Sequence, residues 1–186
     1  MTDKLISKKS LQNLTQFNKE NQNLSRESME IALLDLLEKK QLSHISISEL
    51  VTKAGVSRNA FYRNYKSKEE ILLCRLNTVI RRIFQGLKLF DLNTQANQAW
   101  YYLFTEAKKE EKLLRLMFKN QLQTLITQIV TKRLKAYQRW KLHKQSHYTR
   151  LFWSNAIVSV LVDWIKDGMT TPAEEMACIG LPLLPY

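Results

Sequence analysis

The sequence predicts an all-α fold, on two observations. The 186 residues include only four Gly and three Pro, with two of the prolines in the last five positions, whereas strands joined by tight hairpins would demand many more turn residues. In segment after segment, apolar residues recur at the three-to-four-residue interval of a helix, and helix-capping residues separate the segments. About nine helices are expected, in a chain long enough to hold one or two domains and bury a real core.

Residues 1–23 differ from the rest. Lys4, Lys8, Lys9 and Lys19 are mixed with many Gln and Asn, and the weak apolar spacing predicts a mobile basic arm, either a solvated tail or a source of extra phosphate or minor-groove contact. A first helix is expected over Ser25 to Lys40, where Met29, Ala32, Leu33, Leu36 and Leu37 form one apolar stripe. Ser46 and Glu49 make a capping box that starts a second helix near Ile47. Gly55 stops it, because a left-handed residue closes a helix at little steric cost only when it lacks a Cβ. Ser57 caps a short third helix, Arg58 to about Tyr65, and Ser67 with Glu70 caps a fourth from Lys68.

Two helices joined by a three-to-four-residue glycine turn are a helix-turn-helix, and the second carries the chemistry of a groove reader. Arg58 and Asn59 can pair bidentately with guanine and adenine edges. Tyr62 and Arg63 suit phosphate oxygens or a thymine methyl, and Lys68 adds a cation at a helix start whose amides already favour anions. With Ser46 and Ser57, these are the candidate DNA-binding residues. Phe61 and Tyr65 alternate with them and are expected in the core. The charge agrees: 29 Lys and Arg against 17 Asp and Glu give +12, a balance that favours a polyanion. It is spread along the chain, since residues 1–66 hold 11 basic and 7 acidic side chains.

In the run Ile47-Ser48-Glu49-Leu50, Ala54-Gly55-Val56-Ser57, Phe61-Tyr62 and Ser67-Lys68-Glu69-Glu70-Ile71-Leu72, the chain resembles the DNA-binding domain of the tetracycline-repressor-like (TetR) family of transcriptional regulators. The resemblance covers about Arg26 to Leu73. It implies that Ser57, Arg58, Asn59 and Arg63 face the groove with Tyr62 and Lys68 on phosphate. Where the family often has a tyrosine-phenylalanine pair at the end of this helix, the chain has Asn64 and Tyr65. The domain division expected is an arm at 1–23, a helix-turn-helix domain at 24–70, and a helical ligand-binding and dimerisation domain at 71–186.

Beyond Lys68, amphipathic segments run to about Leu89, then over roughly Thr94 to Lys108, Lys109 to Met117 and Asn120 to Leu142. A segment from His147 to Asp167 is apolar around its whole axis and must be covered on more than one side. Thr171-Pro172-Ala173-Glu174 opens a short last helix. The resemblance implies a twofold homodimer built from the last two helices, with Phe152, Ile157, Val160, Leu161 and Trp164 as candidate interface residues. It also implies that a small apolar or aromatic effector binds in this domain, for which Phe84, Trp100, Tyr101, Phe104, Met117, Phe118 and Trp153 are the candidate lining. The same aromatics at helical spacing also suit plain core.

Other classes are disfavoured. Cys74 and Cys178 lack metal spacing, and His143 with His147 has no third ligand nearby, so no metal or cofactor is expected. The sequence has no Gly-rich phosphate loop, nucleophile elbow or paired-carboxylate constellation, so the expectation is not an enzyme. No apolar run of about 18 residues would span a membrane, and no amino-terminal apolar stretch directs secretion, so the expected setting is the cytoplasm. A sequence-specific regulator, a repressor acting as a homodimer on a near-palindromic duplex, is the leading expectation. The alternative is a non-specific or architectural DNA-binding protein.

Overall fold

The computed structural model describes residues 8–92, 94–140 and 146–181, and among these there are helices and no strand. The order is α1 (Lys8–Lys39), a 3₁₀ turn (Leu42–His44), α2 (Ile47–Ala54), α3 (Arg58–Asn64), α4 (Lys68–Leu87), α5 (Ala96–Lys109), α6 (Glu111–Lys119), α7 (Gln123–Trp140), α8 (His147–Lys166) and α9 (Ala173–Cys178). The chain divides into two compact units, Met1–Leu72 and Leu73–Tyr186, a division inside α4.

The first unit is organised by its caps. Ser46 Oγ accepts from the Glu49 amide at 3.1 Å and Ser57 Oγ from the Ala60 amide at 3.0 Å. Between them Gly55 adopts φ +66°. The Gly55 and Val56 amides return to the Thr52 and Val51 carbonyls, which closes α2. Around this corner Met29, Leu33 and Leu37 of α1, Ile45, Leu50 of α2, Phe61 of α3 and Ile71 of α4 are almost fully buried. Tyr65 is buried with its ring under the Arg26 guanidinium, 5.3 Å from the ring centre. No atom lies within 4 Å of where a Cβ on Gly55 would stand, so a substitution there meets backbone strain alone. Gly55→Ala is expected to destabilise this unit by about 1–2 kcal/mol, measured as a lower denaturant midpoint, with Gly55→Asn losing less.

The arm expected over residues 1–23 is helical from Lys8, continuous with α1, and residues 1–7 lie outside the described residues. Its side chains from Leu11 to Leu24 are all exposed, Phe17 and Leu24 by 60% and 61%. No Gly or Pro interrupts the chain before Gly55, so the backbone propagates as a solvated helix without packing to signal it.

In the second unit α9 packs along α5, α7 pairs with α8, and α6 touches both α5 and α8. Trp100 stacks on Phe104, which meets Trp164 edge-on, and the two indole N–H groups donate to the carbonyls of Leu181 and Thr171 at 2.9 Å. Where α4 approaches α5, a Cβ on Gly86 would fall 2.0 Å from the Tyr102 hydroxyl; the absent side chain is what admits that ring. Nearby, Arg82 pairs with Glu106 at 3.2 Å and Glu110 at 2.9 Å, and Arg75 reaches Glu110 at 3.1 Å. Both carboxylates are buried. The hydrogen bond from Lys109, with the neighbouring charge of Arg82, outweighs burial and holds the Glu106 carboxyl below its ordinary 4.5. The unfolded chain therefore takes up this proton more readily than the native one. The stabilisation is complete above about pH 4.5 and is lost as pH falls through the lower native value. Glu106→Gln is expected to flatten the acid limb of a stability-against-pH curve.

Candidate nucleic-acid interface

On α3, residues 58, 59, 62 and 63 fall within about 140° of the helix axis at 100° per residue. The helix divides cleanly by burial: Ala60 and Phe61 are buried, while Arg58, Asn59, Tyr62 and Arg63 are exposed, Tyr62 by 60%. The ring of Tyr62 stands edge-on to Phe61, centroids 5.2 Å apart, so a core residue braces an exposed one. Arg58 Nη2 donates to Ser48 Oγ on α2. That contact holds the guanidinium at the exposed side of the motif beside α2, and Ser48 is a partner that sequence spacing did not reveal. Ser46 and Ser57 are exposed and act as caps, leaving their outer surfaces at the amino ends of the two helices.

Lys68 is placed differently from its expected phosphate contact. Its ammonium donates to the Leu42 carbonyl at 2.8 Å and to the Ile45 carbonyl, tying the start of α4 to the 3₁₀ turn. The Leu42 carbonyl also accepts from the Ile45 amide at 3.2 Å, and the lysine one helix away adds a charged donor to both carbonyls. Lys68→Ala is accordingly expected to lower the denaturant midpoint without changing the salt slope of DNA binding; a pure phosphate contact would instead reduce that slope by about one. Asn64 also turns inward, its amide donating to the Ala60 carbonyl at 2.7 Å. Glu70 completes the α4 capping box, accepting from the Lys66 amide at 2.5 Å while its own amide donates to Ser67 Oγ at 3.3 Å. Burial opposes the charge on Glu69, but hydrogen bonds from its own amide and from Ser67, with the field of Lys68, outweigh it and keep the carboxyl below its usual value.

In the second unit an apolar cavity of about 80 Å³ lies among α4, α5, α6, α7 and α8. It brings together Phe84, Trp100 and Trp153 of the expected aromatic lining. Phe104 and Met117 are instead solid core, Tyr101 is 42% exposed, and Phe118 stands half-buried outside the lining. The walls are completed by aliphatics such as Ile126, Val130 and Leu134. Of the expected interface residues, Phe152 is 64% exposed and Val160 half-buried. Ile157 and Leu161 face the cavity and Trp164 is buried against Phe104, because those three lie on the side of α8 turned to its own core. The basic residues Arg139, Lys141 and Lys144, and His143, lie outside the residues whose side chains are described.

The fold and this helix pair define a helix-turn-helix regulator, and comparison with known proteins gives the class its family. Residues 32–73 match bacterial regulatory proteins of the tetR family, and residues 88–180, half of the chain, match a transcriptional regulator C-terminal region of the same family. The chain belongs to the TetR family of transcriptional regulators. It is 26% identical over 82% of its length to the uncharacterized HTH-type transcriptional regulator YxbF of Bacillus subtilis, covering 42% of that protein. Over 37% of its length it is 36% identical to the HTH-type transcriptional regulator EthR of Mycobacterium tuberculosis, covering 34% of it. The chain thus spans less than half the length of the curated relatives it matches. The crystal structure of Lin0861 from Listeria innocua superposes with a TM-score of 0.73 at 14% identity, covering 83% of this chain and 86% of that one, which is a likeness of fold. Among the described residues, no helix is long and apolar enough to cross a membrane.

Proposed function

We propose that the chain is a cytoplasmic, sequence-specific DNA-binding repressor that acts as a homodimer on a near-palindromic operator and is released by a small apolar effector. The observation that carries the DNA reading is the division of α3: Phe61 anchors one side at 0% exposure while Arg58, Asn59, Tyr62 and Arg63 occupy the other, clear of the core. Those four can read base edges and grip phosphates from one docked helix. A seven-residue helix contacts few base pairs, so two copies on successive major-groove faces are what give such a reader its affinity. The exposed Tyr148 and Phe152 at the start of α8 suit burial against a second copy.

The effector reading rests on the cavity beneath α4. At about 80 Å³ it is smaller than the roughly 150 Å³ apolar cavity that admits benzene. A ligand would enter by displacing side chains of α4, α7 or α8, and so favour a population in which those helices have shifted. Selection from a random duplex library, followed by competition with random duplex, tests the function. A preference of about a thousandfold or more for the selected site is expected. Equal affinity for random duplex would favour the non-specific coating role that the +12 charge also permits.

A further inference from the structure

Helix α1 carries two apolar stripes, and the fold of the first unit covers one of them. Met29, Leu33, Leu36 and Leu37 are buried in its core. Leu14, Phe17, Leu24 and Ile31 are each more than half exposed. With Asn21 and the half-buried Ser28 between them, they recur at intervals of 3, 4, 3, 4 and 3 residues. At 100° and 1.5 Å per residue the six positions fall within about 100° of arc, roughly 130° round the helix from the buried stripe, and span about 26 Å.

That alternation is the heptad seam of a coiled coil. Leu14, Asn21 and Ser28 take its a positions, and Phe17, Leu24 and Ile31 its d positions. Residues 8–24 hold four Asn and no Ala, a composition of weak intrinsic helicity, so packing along the seam is what sustains the helix in water. The flanking residues choose the partner. In a parallel, in-register pair each g position faces the following e position of the other helix, which sets Asn13 beside Asn18 and Glu20 beside Ser25. Neither pair brings like charges together, and the Asn21 amides of the two copies can hydrogen-bond to each other in the seam. An antiparallel pair would lay Glu20 against Glu27 in both directions and Asn21 against Leu24, repelling the first two and stranding the amide. We propose that α1 pairs with α1 of a second copy as a parallel two-stranded coiled coil over residues 14–31, a self-association surface separate from α8.

The test uses the full chain. In a Cys74→Ala, Cys178→Ala background, Leu24→Cys should form a disulfide-linked dimer at least about tenfold faster than Asn23→Cys, because only the seam position brings the two sulfurs within bonding reach. Sedimentation velocity of the parent at rising concentration should reveal a species whose mass falls by about half in the triple variant Leu14→Gln, Phe17→Gln, Leu24→Gln. These side chains are exposed, so the core is untouched. The halving is expected whether or not α8 also joins two copies, so failure here is distinct from failure of that dimer. Equal cross-linking rates at positions 23 and 24, or an unchanged mass in the triple variant, would overturn the proposal. An unchanged mass with weaker duplex binding would overturn it in favour of a nucleic-acid contact.

Discussion

Phe61→Ala is expected to cost the first unit about 3–5 kcal/mol, the range for truncating a fully buried aromatic side chain. Phe61 has no exposed surface and is in ring contact with both Tyr62 and Tyr65. Removing it empties the centre of the packing between α1, α2 and α3, and it removes the brace beneath Tyr62. A domain this small has only about 5–15 kcal/mol in hand, so much of its stability is lost. The sequence supplies a clean assay, because all four tryptophans, at 100, 140, 153 and 164, lie in the second unit. Denaturation followed by far-ultraviolet circular dichroism should show a fraction of helix melting early, while tryptophan fluorescence keeps its parental midpoint. A shift below 1 kcal/mol would mean that α3 is not anchored through this ring.

Arg58→Ala carries the largest expected effect on recognition, about 1–3 kcal/mol on the preferred site, or roughly 5- to 150-fold in Kd. The loss on random duplex should be much smaller, because a base-edge contact contributes only where the right base is present. Ser48→Ala gives a graded control. Arg58 keeps its charge and reach in that variant but loses the hydroxyl that steers it, so the expected loss is intermediate and again concentrated on the preferred site. Equal losses on specific and random duplex for Arg58→Ala would reduce the guanidinium to a phosphate contact.

The helix-turn-helix was legible in the sequence because short-range chemistry sets it. Ser46, Gly55, Ser57 and the Ser67–Glu70 box each act within a few residues, and each stands where the spacing placed it. The α1 extension was not legible in that way. Leu11, Leu14, Phe17 and Leu24 are each more than half exposed, so no buried stripe marks the segment, and its signals were a weak helical spacing and the missing Gly and Pro. The structural ties of Lys68 could not be read from the sequence, because its partners, the Leu42 and Ile45 carbonyls, lie more than twenty residues away, beyond any capping pattern. The cavity shows the same limit. Phe84, Trp100 and Trp153 were identifiable as large aromatics, but which of the many Leu, Ile and Val residues share the cavity walls depends on how five helices meet. Trp164, read from its helix as an interface residue, is buried by Phe104, sixty residues distant in the chain.

The central claim is that the exposed side of α3 reads base edges in the major groove through Arg58, and methylation interference at guanine N7 tests it most directly. On a selected site, a methyl at N7 of one guanine should block binding of the parent chain, and Arg58→Ala should become indifferent to that same methyl while keeping its sensitivity elsewhere. An unchanged interference pattern in the variant, or interference confined to adenine N3 in the minor groove, would contradict the claim.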